Sequence, residues 1–217
     1  MQNKYKQVSR SFGKIAQEYD AWYEDNILFS NEIEALKSLG PVISPSLEVG
    51  VGTGRFASML GFDFGLDPSP EMLAIARRRG LRVVCGVAEA LPLASESLAS
   101  VGLFFTLCFL GDPYQALREA HRVLKRQGRL FLGLVPRESP WGEFYTQRAQ
   151  KGHPLYQYAR FLTLEQVQLW SNKLKFSLEK AASTLFGLPQ APAQKETPKA
   201  GIFPEAGFVA LVYLKRG

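Results

Sequence analysis

The residues best placed to do chemistry are Glu48, Gly50, Gly52 and Gly54, followed by Asp67, Glu89 and Thr106. The stretch Leu47-Glu48-Val49-Gly50-Val51-Gly52-Thr53-Gly54-Arg55-Phe56-Ala57 reads as a strand end, a glycine turn and a helix start. Three glycines at alternate positions allow a tight turn and a close approach of backbone to a ligand. Asp67 closes the next strand, seventeen residues after Gly50. A carboxylate there can accept hydrogen bonds from both hydroxyls of a ribose. Together these features point to a nucleotide-type ligand.

The spacing narrows the ligand. It is Gly-x-Gly-x-Gly, one residue shorter than the Gly-x-Gly-x-x-Gly dinucleotide fingerprint. Glu48 places negative charge near the turn, which opposes a pyrophosphate and suits a ligand with a cationic amino group. Both NAD and S-adenosylmethionine carry the ribose.

Several elements must position these residues. Helices are expected across 4–39, with Phe12, Ile15, Ala16 and Tyr19 at helical spacing and a second helix over 27–39 ending at Gly40-Pro41. Strands are expected at 46–49, 62–66, 81–87, 98–106 and 129–135. Between them lie a short helix over 54–60, a helix from the Ser69-Pro70 cap to 79, and one opened by Asp112-Pro113 with Gln115 placed for a capping box. Strand and helix alternate, which predicts a parallel sheet covered on both faces. Ligands of such sheets sit beyond the carboxyl ends of the strands. Glu48, Asp67, Glu89 and Thr106 all fall at or just past such ends.

After 135 the pattern breaks. Residues 137–162 are rich in aromatics, including Trp141, Phe144, Tyr145, Tyr156, Tyr158 and Phe161, with no single period, and read as a small helical and aromatic cap. Thr163 and Gln166 announce another helix, 176–185 and 208–214 two more strands. The segment 187–206, with Pro189, Pro192, Pro198 and Pro204, reads as a loop, mobile or lid-like. The expected whole is one α/β domain over 1–217, a Rossmann-like three-layer sandwich with a mostly parallel seven-stranded sheet. Its parts are N-terminal helices at 1–40, a cofactor-binding core at 45–135, the cap at 137–162 and a C-terminal helix and strands at 163–217.

Composition bounds the function. A chain of 217 residues can bury a full core, and its charge and apolar content are ordinary for a soluble protein. The apolar run 101–110 is too short to span a bilayer, no secretion signal is visible, and two cysteines, Cys85 and Cys108, fit a reducing compartment. A cytoplasmic location is expected. The net charge is +6, concentrated at Arg77-Arg78-Arg79 and at 122–129. Both clusters precede a glycine at a helix end, where cations favour the dipole, so solvated helix ends are expected rather than a nucleic-acid surface.

With these residues in place, the chain resembles a class I S-adenosylmethionine-dependent methyltransferase of the type 11 branch. Four segments carry the resemblance: 47–57, the ribose turn 65–73 (Gly-Leu-Asp-Pro-Ser-Pro-Glu-Met-Leu), the adenine-side loop 86–93 (Gly-Val-Ala-Glu-Ala-Leu-Pro-Leu), and the helix before the fifth strand with Arg122-Val123-Leu124-Lys125 and Gly128. It spans about residues 45–135, and residues 12–23 resemble the family's leading helix. Val51 departs from the small residue common at that position.

The resemblance implies S-adenosylmethionine as cofactor. Glu48, Gly50, Gly52 and Gly54 would hold its methionine portion. Asp67 would hold the ribose, with Pro68 and Met72 beside the adenine. Ala88 and Glu89 would meet the adenine edge, Thr106 and Leu107 would floor the methyl group, and Tyr19 would close over the methionine end. Methyl transfer from a sulfonium is an in-line displacement dominated by alignment. A general base is needed only if the acceptor must lose a proton. No base is obligatory in the sequence; His153, Tyr19 and Tyr23 are the candidates. The expected partner is a small-molecule acceptor, apolar or planar if the aromatic cap lines its site. No metal site is expected. Two other readings stay open: an NAD(P)-dependent oxidoreductase, and a protein that binds S-adenosylmethionine without transfer.

Overall fold

The computed structural model describes residues 2–216; positions 1 and 217 of the expected domain lie outside them. Three helices lead: α1 (Gln2–Lys14), α2 (Ala16–Ala21) and α3 (Ile27–Ser38). The expected single helix before 27 is broken at Ile15. Asn26 starts α3, its Oδ1 accepting from the N–H groups of Leu28 and Phe29. The core follows as β1 (Ser46–Val49), α4 (Arg55–Leu60), β2 (Phe64–Asp67), α5 (Pro70–Arg78), β3 (Arg82–Cys85), β4 (Leu98–Phe104), α6 (Pro113–Val123) and β5 (Leu124–Leu134). Then come α7 (Pro140–Gln150), α8 (Leu164–Lys173), β6 (Phe176–Thr184), β7 (Lys199–Ala200) and β8 (Phe208–Lys215), with single 3-10 turns at Leu107–Phe109 and Tyr156–Tyr158.

The strands form one sheet in the order β3-β2-β1-β4-β5-β8-β6-β7. The first five run parallel; β8 pairs antiparallel with β5 and β6. The seven expected strands are all present. The two-residue β7 is an eighth, paired with β6 inside the proline segment.

Side chains of the central strands alternate between the two faces. Leu130, Leu132 and Leu134 of β5 join Val209, Leu211 and Tyr213 of β8 in a core shared with α6 and α8. Phe131, Phe208, Ala210 and Val212 join the other core, shared with α3 and α4. Both faces are therefore apolar, which is why these strands read as continuous apolar runs.

The cap expected at 137–162 contains a helix, α7, capped by Ser139, whose Oγ accepts from the Gly142 N–H at 3.0 Å. Two expectations are corrected. The segment 187–206 is fastened rather than mobile: Asn31 bonds the Gln194 carbonyl and the Glu196 N–H at 2.8 and 3.0 Å, and the Glu196 carboxylate accepts from the Phe186 N–H at 3.0 Å. The basic clusters are only partly solvated. Arg79 pairs with Asp20 at 2.7 Å, and Arg122 pairs with Glu119 at 2.8 Å while donating to the Leu91 and Leu93 carbonyls.

Among the described residues no helix is long and apolar enough to cross a membrane, and no group of three His, Cys, Asp or Glu could hold a metal ion.

Candidate functional site

The carboxyl ends of β1, β2 and β4 converge on one cavity. It is lined by Gly50 and Gly52 from the turn, Asp67 and Pro68 from the end of β2, Met72 of α5, and Thr106 after β4. From above, α1 and α2 add Ser9, Phe12 and Tyr19. Seven sequence candidates thus come together: Tyr19, Gly50, Gly52, Asp67, Pro68, Met72 and Thr106.

The turn is held by its own backbone. The N–H groups of Gly50 and Val51 both donate to the Leu66 carbonyl, at 2.7 and 3.0 Å. Gly50 has φ +75°, and a Cβ there would overlap the Thr106 side chain. That side chain is itself fixed, its hydroxyl lying 3.1 and 3.0 Å from the Val49 and Phe104 carbonyls. Asp67 bridges the turn and the next helix. One oxygen accepts from the Gly52 N–H at 2.9 Å, the other from the Ser69 N–H at 2.8 Å. Burial pushes its carboxyl up to about 6, against those two backbone donors.

The remaining candidates stand behind the wall. Gly54 caps α4. Glu48 is buried under the turn at 2 % exposure, and burial holds its carboxyl well above the usual range even though the Ala57 N–H donates to it. Its second oxygen is buried without a partner. Ala88 and Leu107 are packed in the core. Glu89 accepts from the N–H groups of Gly111 and Asp112 at 3.1 and 3.3 Å, closing the loop before α6.

A second cavity of 290 Å³ adjoins the first and shares Phe12, Tyr19, Phe105 and Phe109 with it. Its other walls include Tyr23 and Trp22 beyond α2, Phe29 and Glu32 of α3, Tyr145 of α7, and Tyr156 and Phe161. Of the cap aromatics, Tyr145, Tyr156 and Phe161 therefore face a cavity, whereas Trp141 is packed in the core. Cys108 also lines the cavity.

The base candidates fare differently. Tyr19 and Tyr23 hydroxyls lie 2.7 Å apart on this wall, and burial pushes both above the ordinary tyrosine range, so neither ionises near neutrality. His153 lines neither cavity. Its ring stacks on Tyr156 at 4.4 Å, its Nδ1 faces the N–H groups of Leu155 and Tyr156, and burial lowers its pKa.

Sequence reasoning passed over Glu32 and Phe105. Phe105 holds φ +55° directly after β4 and forms part of both cavities. A bulky residue in that region stores strain of about 1–3 kcal/mol, a cost often found at functional sites. Nothing in its sequence context announces it.

Asp20 anchors the cover over the turn. Its carboxylate meets Arg55 through Nε and Nη2 at 3.0 and 2.9 Å and Arg79 at 2.7 Å. Burial alone would raise its pKa, but the two arginines hold it below the usual range. The three charges bind α2, which carries Tyr19, to α4 and the end of α5. Asp20→Asn leaves two partly buried guanidinium groups short of a charge. We expect a cost of about 1–3 kcal/mol, which for a chain of this size lowers Tm by roughly 2–12 °C. A melt within 1 °C of wild type would rule out this anchoring role.

These features were compared with known proteins. The type 11 methyltransferase domain family, described as "Methyltransferase domain", matches residues 47–132. A crystal structure from Thermotoga maritima superposes with a TM-score of 0.89 at 37 % identity, covering 96 % of this chain and all of that one. It is described as a SAM-dependent methyltransferase, possible histamine N-methyltransferase. The chain belongs to the S-adenosylmethionine-dependent methyltransferase family. An uncharacterized protein of Mycobacterium tuberculosis is 41 % identical over 209 residues, 94 % of this chain and 73 % of that one. An uncharacterized protein of Methanocaldococcus jannaschii is 37 % identical over 201 residues, 92 % of this chain and 96 % of that one.

The family implies S-adenosylmethionine, and the residues present fit it. A Cβ on Gly52 would stand 3.9 Å from the Tyr19 ring, so the glycine keeps a slot open between turn and cover. Each Asp67 oxygen retains a lone pair after its backbone bond. The unpartnered Glu48 oxygen beneath the turn is an acceptor in reserve for a cationic ligand group or a bridging water.

Proposed function

We propose that this methyltransferase acts on a small-molecule acceptor seated in the 290 Å³ aromatic cavity, next to the cofactor in the adjoining glycine-turn cavity. The observation that carries the reading is the adjacency of the two cavities, which share Phe12, Tyr19, Phe105 and Phe109 as lining residues. At 290 Å³ the aromatic cavity lies at the small end of ligand sites, which run from about 300 to 1,000 Å³.

When bound, S-adenosylmethionine supplies a methyl group on a positively charged sulfur, already activated for displacement. The chain's work is then placement. Asp67 receives ribose hydroxyls, Gly50 and Gly52 let the backbone approach the methionine portion, and Pro68 and Met72 flank the adenine. Ala88 and Glu89 back the adenine edge from behind the wall, with Gly54 and Glu48 shaping the turn from beneath. Thr106 floors the transfer region, braced by Leu107, and Tyr19 closes it. The buried aromatic walls exclude water, and holding two reactants aligned supplies up to about 7–11 kcal/mol of a barrier.

The first test is a thermal shift. Saturating S-adenosylhomocysteine at about one hundred times its Kd should stabilise by about 2.7 kcal/mol, which is roughly 5–11 °C in Tm. NAD and NADP should give none. Stabilisation by NAD alone would sink the reading in favour of an oxidoreductase. Transfer itself is read with methyl-labelled cofactor across amines, phenols, carboxylates and thiols, and label reaching none of them would leave a binding protein without transfer.

A further inference from the structure

Glu32 has no role in the cofactor reading, yet it is the most exceptional side chain of the aromatic cavity. It sits mid-helix on α3 at 8 % exposure and lines the cavity wall. No hydrogen bond or ion pair joins it to another described residue, and burial is the sole influence found on its carboxyl. A carboxylate left so costs several kcal/mol unless a partner arrives. The ordinary remedies are absent: among the described residues lining the cavity there is no arginine or lysine. The four tyrosine hydroxyls that feel its charge are those of Tyr19, Tyr23, Tyr145 and Tyr156.

The cavity it lines is walled by aromatic rings packed on one another. Tyr145 meets Tyr156 at 4.6 Å and stacks on Phe161 at 5.9 Å, while Tyr23 meets Phe29 edge-on at 4.9 Å. Aromatic faces attract a cation, more strongly when it is desolvated. A buried carboxyl without a partner, in a cavity walled by aromatic rings, suits a small positive group with an N–H to give.

We propose that this cavity is the subsite for a small amine on an apolar or aromatic frame, with the Glu32 carboxylate receiving the N–H of its ammonium. The proposal rests on the methyltransferase reading and deepens it. An ammonium nitrogen has no lone pair and cannot accept a methyl group. The proton must leave first, and Glu32 is the group in contact range to take it. The N–H bond breaks, its electron pair stays on nitrogen, and the proton forms the O–H of the Glu32 carboxyl. The freed pair then makes the new N–CH₃ bond as the electrons of the methyl–sulfur bond return to sulfur. The product is again a cation, and the Glu32 proton leaves to solvent.

Burial pushes the empty Glu32 carboxyl up to about 8, so near pH 7 it carries its proton. The other titratable groups on the same cavity are the four tyrosines, uncharged at that pH, and Cys108; Arg148 does not line it but is close enough to act on Tyr145 and Tyr156. An ammonium entering the cavity therefore expels one proton to the buffer at pH 7 and none near pH 9, where Glu32 is already ionised.

The test is calorimetry on the full chain saturated with S-adenosylhomocysteine, using 2-phenylethylamine and its uncharged counterpart 2-phenylethanol as probes. At pH 7.5 the amine should bind at least tenfold more tightly than the alcohol. Repeating the titration in buffers of different ionisation enthalpy should show proton release at pH 7 that vanishes by pH 9. Glu32→Gln should bring the two probes within about threefold and abolish proton release, while its S-adenosylhomocysteine thermal shift stays at the wild-type value. Equal binding of amine and alcohol by wild type, or failure of both to bind, overturns the amine assignment with no variant needed. Retained preference in Glu32→Gln overturns the role of Glu32. Loss of the wild-type S-adenosylhomocysteine shift would instead overturn the underlying cofactor reading, so the two failures are distinguishable.

Discussion

Asp67→Ala should abolish the thermal shift that S-adenosylhomocysteine gives the wild-type protein. The carboxylate is the one charged acceptor on the wall of the glycine-turn cavity, and it already ties Gly52 to Ser69. Hydrogen bonds to a charged group are worth about 1.5–3 kcal/mol each. Losing the ribose contacts should weaken binding by roughly two orders of magnitude or more. Asp67→Asn keeps the shape but turns one acceptor into a donor facing a backbone N–H, so it should fail almost as badly. Retained binding in both variants would mean the ribose lies elsewhere.

The same residue sets a pH dependence. Its carboxyl is raised to about 6 in the folded chain, above an unfolded value near 3.8. The raised value makes the protonated form the one favoured by folding. Its stabilising contribution is thus present below about pH 4 and lost as pH rises through 6, on the order of 2–3 kcal/mol in the free protein. Ribose hydroxyls donate to the ionised form, so the ligand affinity should run the other way, falling as pH drops from 7 to 5. Titrations across that window check both signs. Affinity flat from pH 7 to 5 would be incompatible with an Asp67 contact.

Gly50→Ala should be the most damaging single-methyl change at the site. Its left-handed backbone costs a non-glycine residue about 1–2 kcal/mol. The added Cβ meets Thr106, which cannot retreat because its hydroxyl is held between the Val49 and Phe104 carbonyls. Overpacking of this kind adds about 1–3 kcal/mol. The sum predicts a Tm lower by roughly 4–20 °C and loss of S-adenosylhomocysteine binding. Gly61 provides the control. It has φ +79° with open space where a Cβ would go, so Gly61→Ala should cost only the backbone term, about 1–2 kcal/mol, and leave binding intact. Equal effects at the two glycines would remove Thr106 from the explanation.

How much of this was legible in the sequence varies by element. The Ser69-Pro70 and Asp112-Pro113 caps were readable because a cap acts within three residues, and both bond as expected, to the Met72 and Gln115 N–H groups. Ser139-Pro140 is the same signature, and it was overlooked among aromatics that obscure the helical period of α7. Gln115 shows the limit of the rule. Its side chain reaches the Glu89 carbonyl at 3.3 Å instead of closing the capping box. The fixation of 187–206 by Asn31 joins residues more than 160 positions apart, and no local pattern carries that.

By itself the sequence determined the donor side of this protein. Glycines with left-handed φ, an acid at the end of β2 and caps on α5 and α6 are local devices, whose physics is complete within a few residues. Tertiary structure decided the aromatic cavity beside it. Glu32 looks like any polar residue on an amphipathic helix until Tyr19, Tyr23, Tyr145 and Tyr156 arrive from other elements and take its water away. Burial of a charge is a property of its neighbours, and those neighbours come from three separate stretches of the chain.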